Sequence, residues 1–182
     1  FYDLDKFVRT INRIGVDAVI VQDIGVAMYI KSIAPDLNLH ASTQMTLVTS
    51  ECRELMDRYN VSRIVPAREL SIDEIKDIKN NTDLEIEVFI HGALCYCYSG
   101  QCLMSSMIGE RSGNRGRCAQ PCRKQYSVYR EDKVIAKDEY MLSHKDMCGL
   151  YNLHNLIKIG VDPLNIDGRK KKNEHAACLD SI

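Results

Sequence analysis

Two stretches of sequence decide the fold: "NRIGVDAVIVQDIG" at residues 12–25 and "IKIGVDPLNIDG" at residues 157–168. Each has the end of a helix, then Gly-Val-Asp, and then a short strand. In the first stretch the strand is the run "DAVIVQD", which is short, β-branched and continuously apolar at its centre, as in strands buried on both faces. The echo between the two stretches indicates a helix–strand unit that recurs along the chain.

Outward from these stretches, apolar runs with helical spacing alternate with short runs of strand character. Strands are predicted at residues 17–23, 37–43, 62–69, 84–92 and 161–168, and helices at 2–15, 25–35, 49–60, 71–80 and 143–160. Ser71 and Glu74 form a capping-box pattern at the start of the fourth helix. This alternation predicts a parallel sheet covered by helices.

A right-handed βα repeat closes into an eight-stranded barrel when the chain has roughly 250 residues. The present chain has 182 residues. We therefore predict an α/β fold that is an incomplete TIM-barrel-like repeat of about five to six barrel strands. It would form one domain over residues 1–182, with a cysteine-rich insertion at 93–124 and a β-hairpin at 125–142. We expect a partner chain or a further N-terminal segment to complete the barrel.

The composition is that of an ordinary globular protein, with 45% hydrophobic and 27% charged residues and a net charge of −1. This charge gives no overall field that attracts nucleic acid. No apolar run reaches the length of a transmembrane helix, and no secretion signal opens the chain. We therefore expect no membrane partner, a cytoplasmic location and thiols that are kept reduced.

Cysteines are concentrated in "HGALCYCYSGQC" at residues 91–102 and "GRCAQPCR" at residues 116–123. Either zinc or an iron–sulfur cluster takes up to four thiolate ligands. The loose spacing Cys95-x6-Cys102-x15-Cys118-x3-Cys122 has no C-x2-C pair and runs through glycine-rich backbone, which favours a cluster over structural zinc. Cys97 and Cys148 lie outside this spacing. From the residues alone, an iron–sulfur cluster, zinc, and redox or disulfide use all remain open.

The same insertion carries cations against a single acid, Glu110. We predict that they bind phosphates or an anionic substrate, although they also fit a solvated loop or an offset to thiolate charge. These cations are Arg111, Arg115, Arg117, Arg123 and Lys124.

Polar residues near the C-terminal ends of the predicted strands are candidates for the active site, because barrel enzymes place their chemistry on that face. The catalytic candidates are Asp23, Arg68, Glu87 and His91. Glu87 and His91 would share one face of a strand, although a buried, hydrogen-bonded His91 is the alternative. The substrate-binding candidates are Ser42, Gln44 and Arg169, the last of which opens a run "RKKK" that is also typical of solvated surface. No P-loop, dinucleotide fingerprint, zincin motif or serine-hydrolase elbow is present.

The cysteine block closely resembles the signature of peptidase family U32, the collagenase-like peptidase family. The resemblance is carried by "EVFIHGALCYCYSGQCLMSS" (87–106) and "GERSGNRGRCAQPCR" (109–123), and it extends to "VDAVIVQDIG", "LHASTQMT", "VPARELS" and "MLSHKDMCGL". The family was named for peptidases, but the chain has no convincing protease constellation. Better-understood members resemble iron–sulfur proteins that hydroxylate tRNA or rRNA bases, or the ubiquinone ring, without O2.

The resemblance implies a 4Fe–4S cluster held by Cys95, Cys102, Cys118 and Cys122, with Cys148 as an alternative fourth ligand. It also implies that tRNA or rRNA is the partner and that the arginines hold its backbone. The last strand reads "NIDGR" (165–169), whereas the resemblance implies a sequence like Lys-Ile-Glu-Gly-Arg at this place. Three functions are thus predicted: an RNA base hydroxylation domain, a collagenase-like peptidase that uses Glu87 and His91, and an inactive, metal-stabilised remnant that binds RNA or a partner.

Overall fold

The computed structural model describes residues 2–167. Within this range the chain forms helices and strands that alternate through its first half. The helices are Tyr2–Ile14 (α1), Ile24–Ile33 (α2), Cys52–Arg58 (α3), Ile72–Asn81 (α4), Met104–Gly109 (α5) and Leu153–Ile159 (α6). The strands are Val19–Val21 (β1), Leu39–Ala41 (β2), Val61–Ile64 (β3), Glu85–Ile86 (β4), Val88–Ala93 (β5), Tyr126–Arg130 (β6), Lys133–Glu139 (β7), Asp146–Cys148 (β8) and Leu164–Ile166 (β9).

The first four strands form one parallel sheet in the order β1-β2-β3-β4. Val19 is paired with Leu39, Leu39 with Val61, and Arg63 with Glu85. Each strand is separated from the next by a helix, which is the crossover that parallel neighbours require. The predicted parallel sheet is therefore confirmed.

One face of this sheet packs against the helices and forms the core. Leu39, Ala41, Ile64 and Ile86 are completely buried in the strands. They pack with helical side chains that are buried to nearly the same degree: Val8, Ile30, Met56 and Ile78. Burying a side chain of this size contributes about 1.5–3 kcal/mol, so this layer is the main stabilising element. The predicted capping box at the start of α4 is also confirmed, because Ser71 and Glu74 each accept a hydrogen bond from the other's backbone N–H.

The strand that runs from β4 into β5 changes its partner at Glu87. The Glu87 N–H donates to Ile64 O of β3 (3.0 Å), whereas the Val88 N–H donates to Pro163 O just before β9 (3.2 Å). β5 then pairs in parallel with β9 and antiparallel with β8. The described strands form three sheets and do not close into a barrel. The structure thus has the mixed α/β class with a parallel sheet that the sequence indicates.

The helix predicted over residues 143–160 is wrong in its first half. Residues Asp146–Cys148 form strand β8, and α6 begins only at Leu153. Gly149 explains the difference, because its N–H donates to Ile90 O (2.6 Å) and a Cβ there would lie 2.8 Å from that oxygen. The close approach to β5 therefore fixes this segment as a strand.

The hairpin predicted over residues 125–142 is confirmed as β6 and β7, which turn at Glu131 and Asp132. The cysteine-rich insertion contains the short helix α5 and two 3-10 turns, Gly113–Arg115 and Pro121–Arg123. Within residues 2–167, no helix has both the length and the apolar character needed to cross a bilayer.

Candidate functional site: a cysteine-rich loop at the strand ends

The insertion begins where β5 ends and gathers most of the described cysteines. None of the thiols within residues 2–167 is in a disulfide. Cys95 is exposed, and the other four thiols of the insertion are half-buried. These are Cys97, Cys102, Cys118 and Cys122. Free thiols in these numbers on one loop make a soft donor set.

Gly100 lets this loop lie directly against the turn that follows β2. Its φ is +79°, and a Cβ there would overlap the Gln44 carbonyl oxygen and lie 2.9 Å from the carbonyl carbon. The Gln44 side chain in turn donates to Gly113 O (2.6 Å), and the Asn114 side chain donates to Gly100 O (3.0 Å). The 3-10 turn at Gly113–Arg115 is thereby held between the strand end and the first cysteine segment.

A second anchor comes from the turn that follows β3. Ser99 is 6% exposed, and both its N–H (2.9 Å) and its hydroxyl (3.1 Å) donate to the Glu69 carboxylate. The Thr46 hydroxyl donates to Ser99 O (2.6 Å). The segment between Cys97 and Cys102 is therefore fixed by both neighbouring strand ends.

Arg123 joins the two ends of the insertion. Its guanidinium donates to Leu94 O (3.2 Å) and His144 O (2.6 Å), and it pairs with Asp146 at 3.0 Å. Leu94 directly precedes Cys95, and Arg123 directly follows Cys122. This predicted substrate-binding arginine thus holds the backbone that carries two cysteines.

The thiols lie close enough to influence one another. Burial raises the pKa of the Cys95 thiol, and the thiols of Cys102, Cys122 and Cys97 raise it further, against a backbone N–H of Cys97 that lowers it. Burial also raises the pKa of Cys122, where Arg123 lowers it and Cys118 and Cys102 raise it. Ordinary pH therefore favours protonated thiols at both positions, and a bound cationic centre is what would hold them as thiolates.

The fit of these residues to an inorganic centre is mixed in geometry but good in chemistry. Within residues 2–167, no group of three or more His, Cys, Asp or Glu side chains is arranged to hold a metal ion. The donors are nevertheless soft, and the Gln120 N–H donates to Cys118 Sγ (3.3 Å), which is the kind of hydrogen bond that tunes cluster sulfurs. The loop would therefore have to draw its sulfurs together to bind such a centre.

Cys148 lies outside the insertion, on β8, where it is exposed and paired in register with His91. It lines a small cavity of about 140 Å³ together with Arg68, Phe89 and Asn152. Its role as a fourth ligand stays a prediction.

Glu87 is deeply set, at 8% exposure, and accepts hydrogen bonds from Asn165 (2.6 Å) and Arg63 (3.3 Å). A register shift in β5 lies between Phe89 and His91. It interrupts the strict alternation from which a shared face of Glu87 and His91 was expected. Asn165, where the resemblance implies a lysine, thus provides a polar partner for Glu87, and the catalytic roles of Glu87 and His91 remain predictions.

Arg68 links three strand ends. Its guanidinium donates to Ala93 O (2.6 Å) and Asp167 (3.1 Å), and its Cζ lies 4.0 Å from the centre of the Phe89 ring. Asp23 accepts from the Val26 N–H (2.8 Å) as the N-cap of α2. Both catalytic candidates thus have positioning contacts, and their roles in chemistry remain predictions.

The substrate-binding candidates divide into anchored and exposed side chains. Ser42 accepts from the Gln44 N–H (3.2 Å), and Gln44 anchors the insertion as described above. Arg111, Arg115 and Arg117 are exposed, and Arg111 Nε donates to Arg117 O (3.0 Å). Arg169 lies outside the described residues. The exposed arginines are therefore the ones available to a ligand.

Glu69 is one of the polar residues that the sequence places at a strand end, but Ser99, Gly100 and Asn114, which hold the loop in place with it, are not identified by the sequence analysis. A glycine between two cysteines was the one signal that pointed to them, since a tight approach or a positive φ requires glycine.

Comparison with known proteins gives a family match over almost the entire chain. The model of Peptidase family U32 matches residues 1–180. A 23S rRNA 5-hydroxycytidine synthase of Escherichia coli is 41% identical over 167 residues, which are 91% of this chain and 25% of that protein. The tRNA hydroxylation protein P1 of Bacillus subtilis is 33% identical over 186 residues (98% of this chain, 44% of that protein). An uncharacterized protease of Methanocaldococcus jannaschii is 34% identical over 174 residues (90% and 42%). The chain thus spans less than half the length of these relatives.

Proposed function

The chain belongs to peptidase family U32, and on that premise we propose that it is an O2-independent RNA base hydroxylation domain that acts on tRNA or rRNA. The observation that carries the proposal is the gathering of five free thiols beside exposed arginines where β5 ends. Relatives whose names specify hydroxylation of rRNA and tRNA match nine tenths or more of this chain. A protein that modifies such RNAs would work in the cytoplasm.

The described strands fit a segment of a TIM-like βα barrel in this proposal. The change of partner at Glu87 makes β4 and β5 one continuous strand, so that β1, β2, β3, β4–β5 and β9 follow one another in parallel. The remaining strands would come from further chain or from a partner. The cysteine loop then lies on the face where barrel enzymes bind their substrates.

The donor set fits a 4Fe–4S cluster held by Cys95, Cys102, Cys118 and Cys122, with Cys148 as an alternative fourth ligand and zinc as an alternative metal. Such a cluster supplies one-electron redox chemistry when bound. The Gln120 N–H stabilises negative charge on Cys118 Sγ. Arg123 keeps Cys95 and Cys122 in one place through its contact with Leu94 O.

The chain's own residues would bind the RNA rather than perform the redox step. The exposed guanidiniums of Arg115 and Arg117 offer paired donors to phosphate oxygens. They add local positive charge that the net charge of −1 hides.

Anaerobic purification tests the proposal. The protein should be brown and hold about four irons per chain, because four thiolates can hold one 4Fe–4S cluster. Cys102→Ser should abolish the iron content, whereas the matched variant Cys52→Ser should retain it, because Cys52 lies in α3 against the core. Expression in a strain that lacks the corresponding RNA hydroxylation gene should restore a hydroxylated nucleoside by mass spectrometry. A colourless, iron-free protein after careful reconstitution would reject the proposal.

A collagenase-like peptidase is the second candidate, and similarity to an uncharacterized protease favours it. Glu87 and His91 would then act as the acid–base pair. Glu87 is already engaged by Arg63 and Asn165, so these hydrogen bonds would have to open before its carboxylate could take a proton from a substrate or water. Loss of gelatin cleavage in His91→Ala would support a peptidase, and unchanged cleavage would identify a contaminant.

A further inference from the structure

Two tyrosines between the cysteines are exposed. Tyr96 is 56% exposed and Tyr98 is 62% exposed, although aromatic side chains gain most from burial. The Tyr96 ring lies 5.2 Å from the His144 ring, centroid to centroid, at an interplanar angle of 44°. The open surface of this ring pair is available for stacking with another flat ring.

The ring pair is held by the same residue that organises the thiols. Arg123 donates to His144 O (2.6 Å) and pairs with Asp146 (3.0 Å), which fixes the backbone that carries His144. Tyr96 follows Leu94 by two positions, and the Leu94 carbonyl oxygen accepts a hydrogen bond from the same Arg123 guanidinium (3.2 Å). The two rings therefore form a preorganised surface immediately beside the thiols.

Positive charge lies on the adjoining turn. The hydrogen bond from Asn114 to Gly100 O (3.0 Å) brings the 3-10 turn that contains Arg115 against the segment that contains Tyr98. Arg115 and Arg117 are exposed, and neither forms an ion pair with another residue of the described range 2–167. Their charge complements a phosphate backbone.

We propose that Tyr96 and His144 form a stacking platform for one unpaired base of an RNA loop, while Arg115 and Arg117 bind its neighbouring phosphates. The inference rests on the proposed function and adds the form of RNA that is recognised. An unpaired loop is required because only a base that is out of a duplex stack presents its face to a protein ring. A base on this platform lies beside the thiols, where a redox centre would act on it.

Binding of two labelled RNAs tests the platform on anaerobically purified, iron-containing protein. One probe is a fluorescein-labelled hairpin with an unpaired pyrimidine loop, and the other is a fully paired duplex of the same composition. By anisotropy, Tyr96→Ala should weaken hairpin binding about tenfold, which corresponds to about 1.4 kcal/mol, because it removes one stacking contact between a base and a ring. Tyr96→Trp should retain hairpin binding. Arg115→Ala should weaken the binding of both probes.

Tyr129→Ala is the matched control, because Tyr129 is 63% exposed but lies on β6, outside the insertion. It should leave both affinities unchanged. The chain has no tryptophan, so Tyr96→Trp also introduces a single reporter. Its emission should change when the hairpin is added and stay unchanged with the duplex, and a Tyr129→Trp reporter should respond to neither probe.

Equal hairpin affinity of Tyr96→Ala and the parent, or equal responses at positions 96 and 129, would overturn the platform. The hydroxylation proposal would survive that result, because iron content and the modified nucleoside test it separately. If the parent binds neither RNA, the platform falls, and iron content and the modified nucleoside still decide the hydroxylation proposal. Should Tyr96→Ala lose its iron, the change in Tyr96→Trp emission on addition of the hairpin decides whether the platform binds the RNA.

Discussion

Replacement of Gly100 by alanine should detach the cysteine loop from the sheet. Gly100 has a φ of +79°, and its missing Cβ would overlap the Gln44 carbonyl oxygen. The left-handed backbone alone costs alanine about 1 kcal/mol, and relief of a backbone overlap costs about 2 kcal/mol more. We therefore expect Gly100→Ala to lower the free energy of unfolding by about 3 kcal/mol, which is a large share of the roughly 5–15 kcal/mol that holds a domain together.

Gly15→Ala is the matched control, because Gly15 has nearly the same φ, +80°, and nothing lies within 4 Å of the position that an alanine methyl group would take there. It should lose only about 1 kcal/mol. Urea unfolding followed by circular dichroism measures both values, and the difference between the variants isolates the contact with Gln44. Iodoacetamide labelling under native conditions provides a local readout, in which Cys97 and Cys102 should react faster in Gly100→Ala. Equal losses of unfolding free energy in the two variants, with unchanged labelling, would refute the proposed role of the contact between Gly100 and Gln44.

Three further predictions concern the polar contacts of the site. Arg123→Ala should lower the free energy of unfolding by about 2–4 kcal/mol in urea titrations, because it leaves Asp146 half-buried without this cation; the exposed control Arg130→Ala should change it little. Asn165→Asp should destabilise the protein by about 2 kcal/mol at neutral pH, because it places a second carboxylate against Glu87. That loss should shrink in acid, and a pH-independent loss would contradict it. Burial, and then Arg63, lower the pKa of His40 below its usual 6.5, whereas Glu87 and Glu85 raise it by a smaller amount. The stabilisation from neutral His40 is therefore complete above pH 6.5 and declines as the pH falls, so His40→Asn should flatten the acid limb of the stability profile.

The repeated part of the fold could be predicted because local patterns determine it. Short apolar runs specify β1 to β3, and Ser71 with Glu74 specifies the start of α4. Strand β8 escaped prediction, because its three residues carry no pattern of their own. They become a strand through contact of Gly149 with Ile90, which is a tertiary effect.

The cysteine loop shows the same limit at the site. Its composition identified the thiols and the arginines, but not which arginine would be exposed. Arg123 and Arg117 look alike in sequence, yet the Arg123 guanidinium is engaged in hydrogen bonds to Leu94 O and His144 O and in an ion pair with Asp146. Contacts such as the one between Glu69 and Ser99 join residues 30 positions apart, and no local pattern specifies such pairs.

The change of partner at Glu87 means that one continuous strand, β4–β5, sets the position of the cysteine loop relative to two neighbouring strands. The backbone before Glu87 is paired with β3, and the backbone after it is paired with β9. The first thiol follows the C-terminal end of β5. Insertion or removal of a single residue between 87 and 94 would shift the whole sulfur-bearing segment against its anchors on the other strands. Transplantation of this loop into another scaffold must therefore include the β4–β5 strand that positions it.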